Sequence, residues 1–314
     1  MQGDIEILPV YNIAMAANDG YAQHLGVCLV SLFENNQNRR FMLYLFSDNI
    51  SRTNIDKIKE VCDRYGNHLN VITPKREEFE GLPIRSYYSL STYYRLRLAD
   101  YLDESVKRIL YLDADMTVVA DIGELLDTDL DDFPIAAVND TPWQLRYAVD
   151  HIGGTVDGNY FNAGMMLIDV DRYRSYQIFS RAVQILNDKK YKCDFLDQDV
   201  LNIIFQNNWK ELPCKWNLLN GFLKREYMTD ARWEDILDGI RHRAIVHYSA
   251  QEKPWSWRCQ NPLKKEYFKY LALSPWSGFK VKRSLRQKLA CIKNQVYLFL
   301  GLRERVYISL AEYK

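Results

Sequence analysis

The sequence predicts an α/β fold built on a mostly parallel sheet flanked by helices. Short apolar, strand-like segments alternate with segments of helical periodicity through the first half of the 314 residues. Such alternation is typical of a doubly wound sheet whose two faces are covered by helices. In addition, one apolar run ends at two aspartates, Asp113 and Asp115. Sheets of this class bind ligands at the carboxyl ends of their strands, so the aspartates mark a candidate site.

The first two strand–helix units are defined by their apolar patterns. Residues 12–17 form an apolar run too short for a helix, and the helix predicted over 21–34 repeats apolar residues every three or four positions. Residues 41–46 form the second predicted strand. Ser51 then supplies the N-cap of a helix that runs to about residue 65.

The following elements continue the alternation. A third strand, 70–73, is closed by Pro74, which has no N–H to donate to a sheet. A polar loop leads to a helix near 91–101 and then to strand 108–112, which carries the aspartates. Two further apolar segments are predicted to join the same sheet: 135–138 and 165–168.

Composition narrows the class of protein. Lys plus Arg equals Asp plus Glu at 41 each, so net charge gives no indication of nucleic-acid binding. The first residues lack the apolar core of a signal peptide, and no run approaches the ~18 apolar residues of a membrane span. The six cysteines form no CxxC pair. We therefore expect a cytoplasmic protein with reduced thiols.

The charge is unevenly distributed along the chain. Residues 279–314 carry nine Lys or Arg against two Glu, a net charge of +7 that the rest of the chain balances. In this segment apolar residues recur at helical spacing: Val281, Leu285, Leu289, Ile292, Val296 and Phe299. We expect 1–265 to form one catalytic domain and 266–314 a basic helical extension. Two interpretations of 279–314 are open: peripheral contact with an anionic membrane, at the inner face of the cell membrane, or packing on the body with a solvated basic face.

Asp113 and Asp115 are compatible with two kinds of chemistry. Carboxylates one residue apart at a strand end can bind a hard divalent cation, which commonly serves a phosphate. The segment from Asp113 to Val118 also fits the nucleophile signature of haloacid-dehalogenase-type phosphatases, which use Mg²⁺. That signature normally ends the first strand of its domain, whereas about three strands precede it here. Its second acidic pair is matched only by Asp197 and Asp199, which open a helix.

A second group of residues favours a metal site for a diphosphate. The apolar strand predicted over 244–247 ends at His247, and Lys253-Pro-Trp follows shortly after. One imidazole and two carboxylates suit Mn²⁺, with Mg²⁺ as a substitute. Lys253 would add a mobile positive charge for the same diphosphate. A histidine at a strand end is also commonly a hydrogen-bonded core residue, but the adjacent Lys-Pro-Trp favours the ligand interpretation.

Six motifs in a fixed order make the sequence resemble a known family. They are Ala16-Ala-Asn18-Asp19-Gly-Tyr21, Ser91-Thr-Tyr-Tyr-Arg95-Leu, Leu110-Tyr-Leu-Asp113-Ala-Asp115, Tyr160-Phe-Asn162-Ala-Gly164, Asp197-Gln198-Asp199-Val-Leu-Asn202 and His247 through Lys253-Pro-Trp255. Over residues 12 to about 258 the chain is similar to the retaining nucleotide-sugar glycosyltransferases that include glycogenin and the bacterial lipooligosaccharide galactosyltransferases. The resemblance implies a Rossmann-like, nucleotide-sugar-binding fold of GT-A type, a UDP-hexose donor and Mn²⁺.

The resemblance also implies a role for each matched residue. Mn²⁺ would be bound by Asp113, Asp115 and His247. The donor would be bound by Ala16, Asn18, Tyr21, Arg95, Asp113, Ala114, Asp115, Asn162, Ala163, Asp197, Gln198, His247, Ala250 and Lys253. Several relatives have Asp in place of Asn18, and the family usually has Gly in place of Ala250. We therefore expect the ribose or base contact and one phosphate contact to differ here.

Four residues are candidates for the chemical step: Gln198, Asp199, Asp140 and Asn162. A double displacement needs a carboxylate on the opposite face of the sugar, but the matching side chain is Gln198, a weak nucleophile. A same-face reaction is therefore favoured, with Asp199 as the alternative nucleophile. In either case cations, including Lys253 and Arg95, would neutralise the departing diphosphate.

The sequence thus predicts an enzyme that transfers galactose or glucose from UDP to a glycan, glycolipid or glycoprotein acceptor. Such a reaction would serve the synthesis of cell-surface polysaccharide, lipopolysaccharide or glycoprotein glycans. The alternatives are the phosphatase and a catalytically inactive UDP-binding module. Trp255 and Trp257 are candidates for an acceptor-stacking platform, and core packing is the other interpretation of both.

Overall fold

The computed structural model describes residues 8–80, 82–83, 89–153, 159–188, 190–249 and 251–313. The strands are β1 (Val10–Asn18), β2 (Arg40–Asp48), β3 (His68–Ile72), β4 (Arg108–Leu112), β5 (Met116–Val118), β6 (Ile135–Asn139), β7 (Phe161–Asp169), β8 (Lys210–Glu211), β9 (Leu218–Leu219) and β10 (Ile245–His247). The α-helices are α1 (Ala22–Glu34), α2 (Arg52–Arg64), α3 (Gly123–Leu126), α4 (Pro142–His151), α5 (Val170–Ser175), α6 (Ile178–Asn187), α7 (Asp197–Phe205), α8 (Trp233–Arg241), α9 (Lys264–Leu271) and α10 (Leu285–Phe299).

The central sheet has seven strands in the order β3-β2-β1-β4-β7-β6-β8. The strands from β3 to β4 are parallel, as predicted, whereas β7 runs antiparallel to both β4 and β6. A second, three-stranded sheet has the order β5-β10-β9. The mostly parallel sheet flanked by helices is therefore confirmed, and the histidine-bearing strand β10 lies in the smaller sheet.

Both faces of the central sheet are buried under helices. Along β1, Ile13 and Met15 belong to one apolar cluster, together with α1 and α2, while Ala14 belongs to the other. β4 shows the same division, since Leu110 faces the first cluster and Tyr111 the second. Successive strand residues point to opposite faces, so apolar side chains in a row require a cover on each side.

One predicted helix differs in type from the expectation. The segment near 91–101 forms a 3₁₀ helix, Leu90–Tyr101, of 12 residues. A 3₁₀ helix has three residues per turn, so residues three apart share one face. Leu90, Tyr93, Leu96 and Ala99 have this spacing and all are buried. Ser91, Tyr94, Arg95 and Leu98 are buried as well, so the helix packs on more than one face. By contrast, the predicted cap of α2 is confirmed, because the side chain of Ser51 accepts from the Asn54 N–H.

The C-terminal part of the chain contacts the body on both sides of α10. Trp276 packs against Gly26 of α1, and beyond α10 the Ile308 N–H donates to Leu223 O at 2.9 Å. Ile308 is buried in the first apolar cluster. α10 itself contributes no buried residue. Within the described parts of the chain, none of the helices combines the length and apolar character that crossing a bilayer requires.

Candidate active site

Strand pairing explains why Asp113, Asp115 and His247 meet. Asp113 directly follows β4, and its N–H donates to Gly164 O on β7 at 2.8 Å. Asp115 directly precedes β5, which pairs antiparallel with β10 so that His247 lies opposite Met116. This register brings the imidazole to the second aspartate. The three side chains predicted to bind metal are therefore brought together by two different sheets.

The three side chains have a geometry suited to one divalent cation. One ligand atom from each lies within 4.8 Å of the others. His247 Nε2 is 3.4 Å from Asp115 Oδ1 and 4.0 Å from Asp113 Oδ2. In an octahedral site with bonds of ~2.1 Å, adjacent ligand atoms are ~3 Å apart and opposite ones ~4 Å apart. Two carboxylates and an imidazole are also the ligand types that Mn²⁺ accepts, so the residues fit the ion.

Two cations adjoin the acidic pair, the buried Arg95 and the half-buried Lys253. Lys253 Nζ forms an ion pair with Asp115 Oδ2 and donates to Tyr248 O at 2.8 Å. Arg95 Nη2 donates to Asp113 Oδ1 at 2.7 Å, and Arg95 Nε lies 2.9 Å from Asp197 Oδ2 as an ion pair without hydrogen-bond alignment. Arg95 thus bridges a metal-site carboxylate and the first residue of α7.

The surroundings of these carboxylates shift their pKa values in opposite directions. Burial alone would raise the pKa of Asp115, but the charge of Lys253 and the adjacent imidazole of His247 outweigh burial and lower it. Burial raises the pKa of Asp197 to about 7, although Arg95 acts in the opposite direction. Asp115 is therefore held as an anion, the form that a cation requires.

A cavity of about 600 Å³ opens above the acidic pair. Ten of the fourteen predicted donor residues line it: Ala16, Asn18, Tyr21, Arg95, Asp113, Ala114, Asp115, Asp197, Gln198 and Lys253. Ser89, Phe195 and Gln251 also line it and were missed in the sequence, because an isolated Ser, Phe or Gln carries no distinctive pattern. The volume lies in the range of small-molecule sites.

Three predicted donor residues lie behind the wall of this cavity. Asn162, Ala163 and His247 are buried and do not line it. Asn162 and Ala163 instead hold Gln198, whose Oε1 accepts from Asn162 Nδ2 and from the Ala163 N–H, both at 3.1 Å. Ala250, the remaining predicted donor residue, lies outside the described residues.

Tyr21 lines the cavity and is packed against further aromatic side chains. Tyr21 is 37% exposed, and its ring meets Trp255 edge-on at 6.0 Å. Trp255 in turn stacks on His24 at 3.4 Å. The Asn18 side chain accepts from the Tyr21 N–H at 3.1 Å, which caps the turn that presents the ring. Trp255 is thus packed behind Tyr21, so the structure favours its packing interpretation over an acceptor platform.

Gln198, which lines the cavity, is hydrogen-bonded to the buried Asp140. Asp140 Oδ2 accepts from Gln198 Nε2 at 3.0 Å and from Asn162 Nδ2 at 2.9 Å. Asp140 is 4% exposed and follows β6 directly. Three of the four residues predicted for the chemical step therefore form one hydrogen-bonded cluster, and Gln198 is its member on the cavity surface.

The position of Asp199, the fourth of these residues, corrects the expectation that it is an alternative nucleophile. It is fully buried, and its oxygens accept from Tyr160 Oη at 2.6 Å, Tyr147 Oη at 3.1 Å and the Phe195 N–H at 2.8 Å. Adjacent residues of a helix point ~100° apart, so the turn that directs Gln198 into the cavity directs Asp199 away from it. Asp199 therefore lies outside the cavity and links α4, α7 and the start of β7.

Asn217 is a site residue that the sequence did not indicate. It is fully buried immediately before β9, and its Oδ1 lies 3.0 Å from His247 Nδ1. The sole sequence signal was a polar residue inside an apolar stretch, next to Trp216 and Leu218. A buried asparagine of this kind usually satisfies local backbone groups, so the pattern does not single it out.

Comparisons with known proteins identify the family of the chain. The family model described as "Glycosyl transferase family 8" matches residues 12–259. General stress protein A of Bacillus subtilis (strain 168) is 32% identical over 275 residues, which cover 85% of this chain and 95% of the relative. The lipopolysaccharide 1,3-galactosyltransferase of Salmonella typhimurium is 28% identical over 276 residues, which cover 85% and 79%.

Solved structures show the same relationship. The galactosyltransferase LgtC in complex with donor and acceptor sugar analogs matches with a TM-score of 0.75 and 26% identity, over 85% of this chain and 99% of that chain. The sheet order, the acidic pair after β4 and the family match over most of the chain point to one conclusion. The fold is of GT-A type, and the chain belongs to glycosyl transferase family 8.

Proposed function

We propose that the protein is a metal-dependent, retaining hexosyltransferase that transfers galactose or glucose from a UDP-sugar to a glycan acceptor. The observation that carries this proposal is the cluster of Asp113, Asp115 and His247 beside a cavity that also contains Lys253 and Arg95. Relatives named as lipopolysaccharide galactosyltransferases and glucosyltransferases support both hexoses.

The charges of the cavity suit a diphosphate leaving group. When bound, Mn²⁺, or Mg²⁺ in its place, supplies positive charge at the two aspartates and His247. Lys253, on the cavity wall, adds a cation for the phosphate oxygens. Arg95, which also lines the cavity, holds Asp113 and Asp197 in place and contributes its own charge. Together these groups stabilise negative charge as it develops on the departing UDP.

The base end of the donor would lie against Tyr21. Its ring faces the cavity and is held by Trp255, so it can stack on uracil without being ordered on binding. The hexose would then extend toward Gln198, Asp140 and Asp197. In this arrangement the sugar hydroxyls meet amide and carboxyl groups, which can donate and accept hydrogen bonds.

The placement of the carboxylates supports a same-face reaction. Among the described residues that line the cavity, the acidic side chains are Asp113, Asp115 and Asp197, and each pairs with Arg95 or Lys253. None of the three is free to attack the sugar. The acceptor hydroxyl would therefore add from the face that the phosphate leaves, and a phosphate oxygen would take its proton.

We further propose that α10 rests on an anionic membrane, which places the enzyme at the cytoplasmic face of a lipid surface and favours a lipid-linked or cell-surface glycan acceptor. The exposed apolar residues of α10 include Leu285 at 74%, Leu289 at 58%, Ile292 at 56% and Phe299 at 89%. The segment around them is strongly basic, and such a helix suits an anionic lipid surface. We assign 1–265 to catalysis and 266–314 to this extension, although Tyr267 and Tyr270 pack in the catalytic core.

The decisive experiment incubates the protein with a panel of UDP-sugars and Mn²⁺, with and without glycan acceptors, and measures released UDP. UDP release from UDP-galactose or UDP-glucose, abolished by chelation and by Asp113→Asn, is the expected result. Release of inorganic phosphate from monoesters without any sugar nucleotide would instead identify a phosphatase. Binding of UDP by calorimetry without any turnover would identify an inactive binding module.

A further inference from the structure

Asn217 lies at the centre of a buried chain of side-chain amides. Its Oδ1 is 3.0 Å from His247 Nδ1, and its Nδ2 donates to Asn162 Oδ1 at 3.0 Å. Asn162 Nδ2 in turn donates to Asp140 Oδ2 at 2.9 Å. The chain therefore runs from the imidazole of the metal site to the carboxylate that contacts Gln198.

Hydrogen-bond partners fix the orientation of both amides. Asn162 Oδ1 accepts from the Gly164 N–H at 3.1 Å, and its Nδ2 faces the Asp140 carboxylate, which only accepts. The group on Asn217 that meets Asn162 Oδ1 must then be the donating Nδ2. Asn217 Oδ1 is consequently turned toward His247, where it can only accept. The ring nitrogen beside it, Nδ1, must carry a proton.

The other ring nitrogen faces a competing acceptor. His247 Nε2 lies 3.4 Å from Asp115 Oδ1. A neutral imidazole has a single N–H, so Asn217 and Asp115 compete for one proton. If the proton moved to Nε2, this nitrogen would no longer have the free lone pair that binds a metal ion. The shorter contact, at 3.0 Å, belongs to Asn217.

We propose that Asn217 is a positioning residue that holds His247 in the Nδ1–H tautomer and so keeps Nε2 free for a divalent cation. The inference rests on the proposed function, because it assumes that His247 binds a metal ion. Groups that orient a metal-bound imidazole commonly contribute 10- to 100-fold in metal affinity, roughly. In this chain the side-chain carbonyl of Asn217 orients the imidazole. The same amide is hydrogen-bonded through Asn162 to the cluster that contains Asp140 and Gln198.

The first test is made on the wild-type, metal-free protein and needs no variant. The ¹⁵N shifts of His247 are recorded while the pH is raised until they no longer change, so that the ring is neutral. We expect Nδ1 to show the shift of a protonated nitrogen and Nε2 that of an unprotonated one. The opposite pattern would overturn the inference, whatever the activity of the enzyme.

The second test compares Mn²⁺ affinity, measured by the electron paramagnetic resonance signal of free Mn²⁺, in Asn217→Leu, Asn217→Asp and wild type. Asn217→Leu should weaken Mn²⁺ binding by about 10- to 100-fold and shift the ring toward Nε2–H. Asn217→Asp restores an acceptor for Nδ1–H but removes the donor to Asn162 Oδ1, so its Mn²⁺ affinity should lie between those of Asn217→Leu and wild type. A structural role alone would not predict this recovery.

The matched control is Asn36→Leu, which removes a buried asparagine whose side chain bonds Leu32 O and the Ile122 N–H. It should lower thermal stability and leave Mn²⁺ affinity and the His247 shifts unchanged. Equal Mn²⁺ affinity in Asn217→Leu and wild type would refute the inference while leaving the proposed function intact. A wild-type protein that does not bind Mn²⁺ at all would refute the proposed metal site instead.

Discussion

Gly164 lies directly against the imidazole of His247: a β-carbon on the glycine would be 2.5 Å from Cε1 of the ring. The same β-carbon would be 2.8 Å from Asp113 Oδ2. These distances are shorter than any normal contact. The side chains of His247 and Asp113 therefore occupy the space that a side chain at position 164 would need. The missing side chain of Gly164 therefore makes room for the metal site itself.

Gly164→Ala should therefore displace the metal site more than it disturbs the fold. The added methyl group must push His247 or Asp113 aside, and we expect Mn²⁺ affinity to fall about tenfold or more and stability by ~1–3 kcal/mol. Mn²⁺ titration and denaturant unfolding measure the two effects. Gly278→Ala is the matched control, since a β-carbon there meets no atom within 4 Å. Unchanged Mn²⁺ affinity in Gly164→Ala would contradict this account.

Arg95→Lys should impair catalysis although it keeps the charge. Arg95 contacts Asp113 and Asp197 at the same time, at 2.7 and 2.9 Å, and a single ammonium group cannot replace the guanidinium fork. We expect kcat/KM for UDP release to fall by about 100-fold, because both carboxylates lose their position. The neighbouring Arg97→Lys, which alters pairs with Glu78 and Asp100 outside the cavity, should change it little. Similar losses in both variants would point to a general effect on folding.

Asp199→Asn separates a structural role from a nucleophilic one. The carboxylate accepts three hydrogen bonds inside the protein, so its loss should lower stability by ~1–3 kcal/mol. Turnover at a temperature where the variant is folded should stay within about tenfold of wild type. Removal of a true nucleophile costs about 10⁴-fold or more. A loss of that size, in a variant with normal circular dichroism, would restore Asp199 as the nucleophile.

His24 should make the protein sensitive to acid. Burial lowers the pKa of His24 to about 3 from a usual 6.5, so between these values the unfolded chain binds a proton that the folded chain does not. Stability is therefore complete above pH 6.5 and falls below it, by ~1.4 kcal/mol for each pH unit from this group. His24→Phe, which keeps an aromatic ring against Trp255, should flatten this dependence in urea unfolding measured between about pH 7 and pH 5. His68→Phe, at an exposed edge-strand histidine, should leave the slope unchanged.

The exposed stripe of α10 should bind anionic vesicles. Leu289→Glu combined with Ile292→Glu places two charges on the apolar face and should abolish co-sedimentation with phosphatidylglycerol-containing vesicles, while UDP release in solution stays at the wild-type level. Val71→Glu, at an apolar residue 39% exposed on the edge strand β3, is the control. Wild-type binding should weaken in high salt and be absent with neutral lipid. Self-association without lipid, lost in the double variant, would show that α10 binds a second copy instead.

The main elements of the fold could be predicted because their patterns are local. The apolar runs of β1, β2 and β4 indicate buried strands, and the periodicity of α1 and α2 indicates helices with one buried face. Each pattern can be recognised from a few consecutive residues. The small sheet was predicted only in part: β10 was recognised as an apolar strand, whereas β5 and β9, with three and two residues, are too short to show a period. Its existence depends on contacts between residues far apart in sequence.

The residues of the candidate site also divide into those that the sequence predicts and those that it does not. Motifs identified the groups with charge or unusual chemistry, such as Asp113, His247 and Lys253, and the structure brings these together. Orientation was not predictable, because adjacent residues such as Gln198 and Asp199 share one motif and point in different directions. Asn217 was missed for a related reason: an amide that orients another side chain has no signature until its neighbours are known.

The contacts on both sides of α10 have a consequence for how the enzyme would meet its acceptor. Trp276 holds the chain before the helix, and Ile308 holds it after, so the segment that carries the helix is attached to the body at both ends. A protein docked through it would present its cavity within a limited range of heights above the bilayer. The enzyme would then select acceptors by their length, measured from the lipid to the terminal sugar.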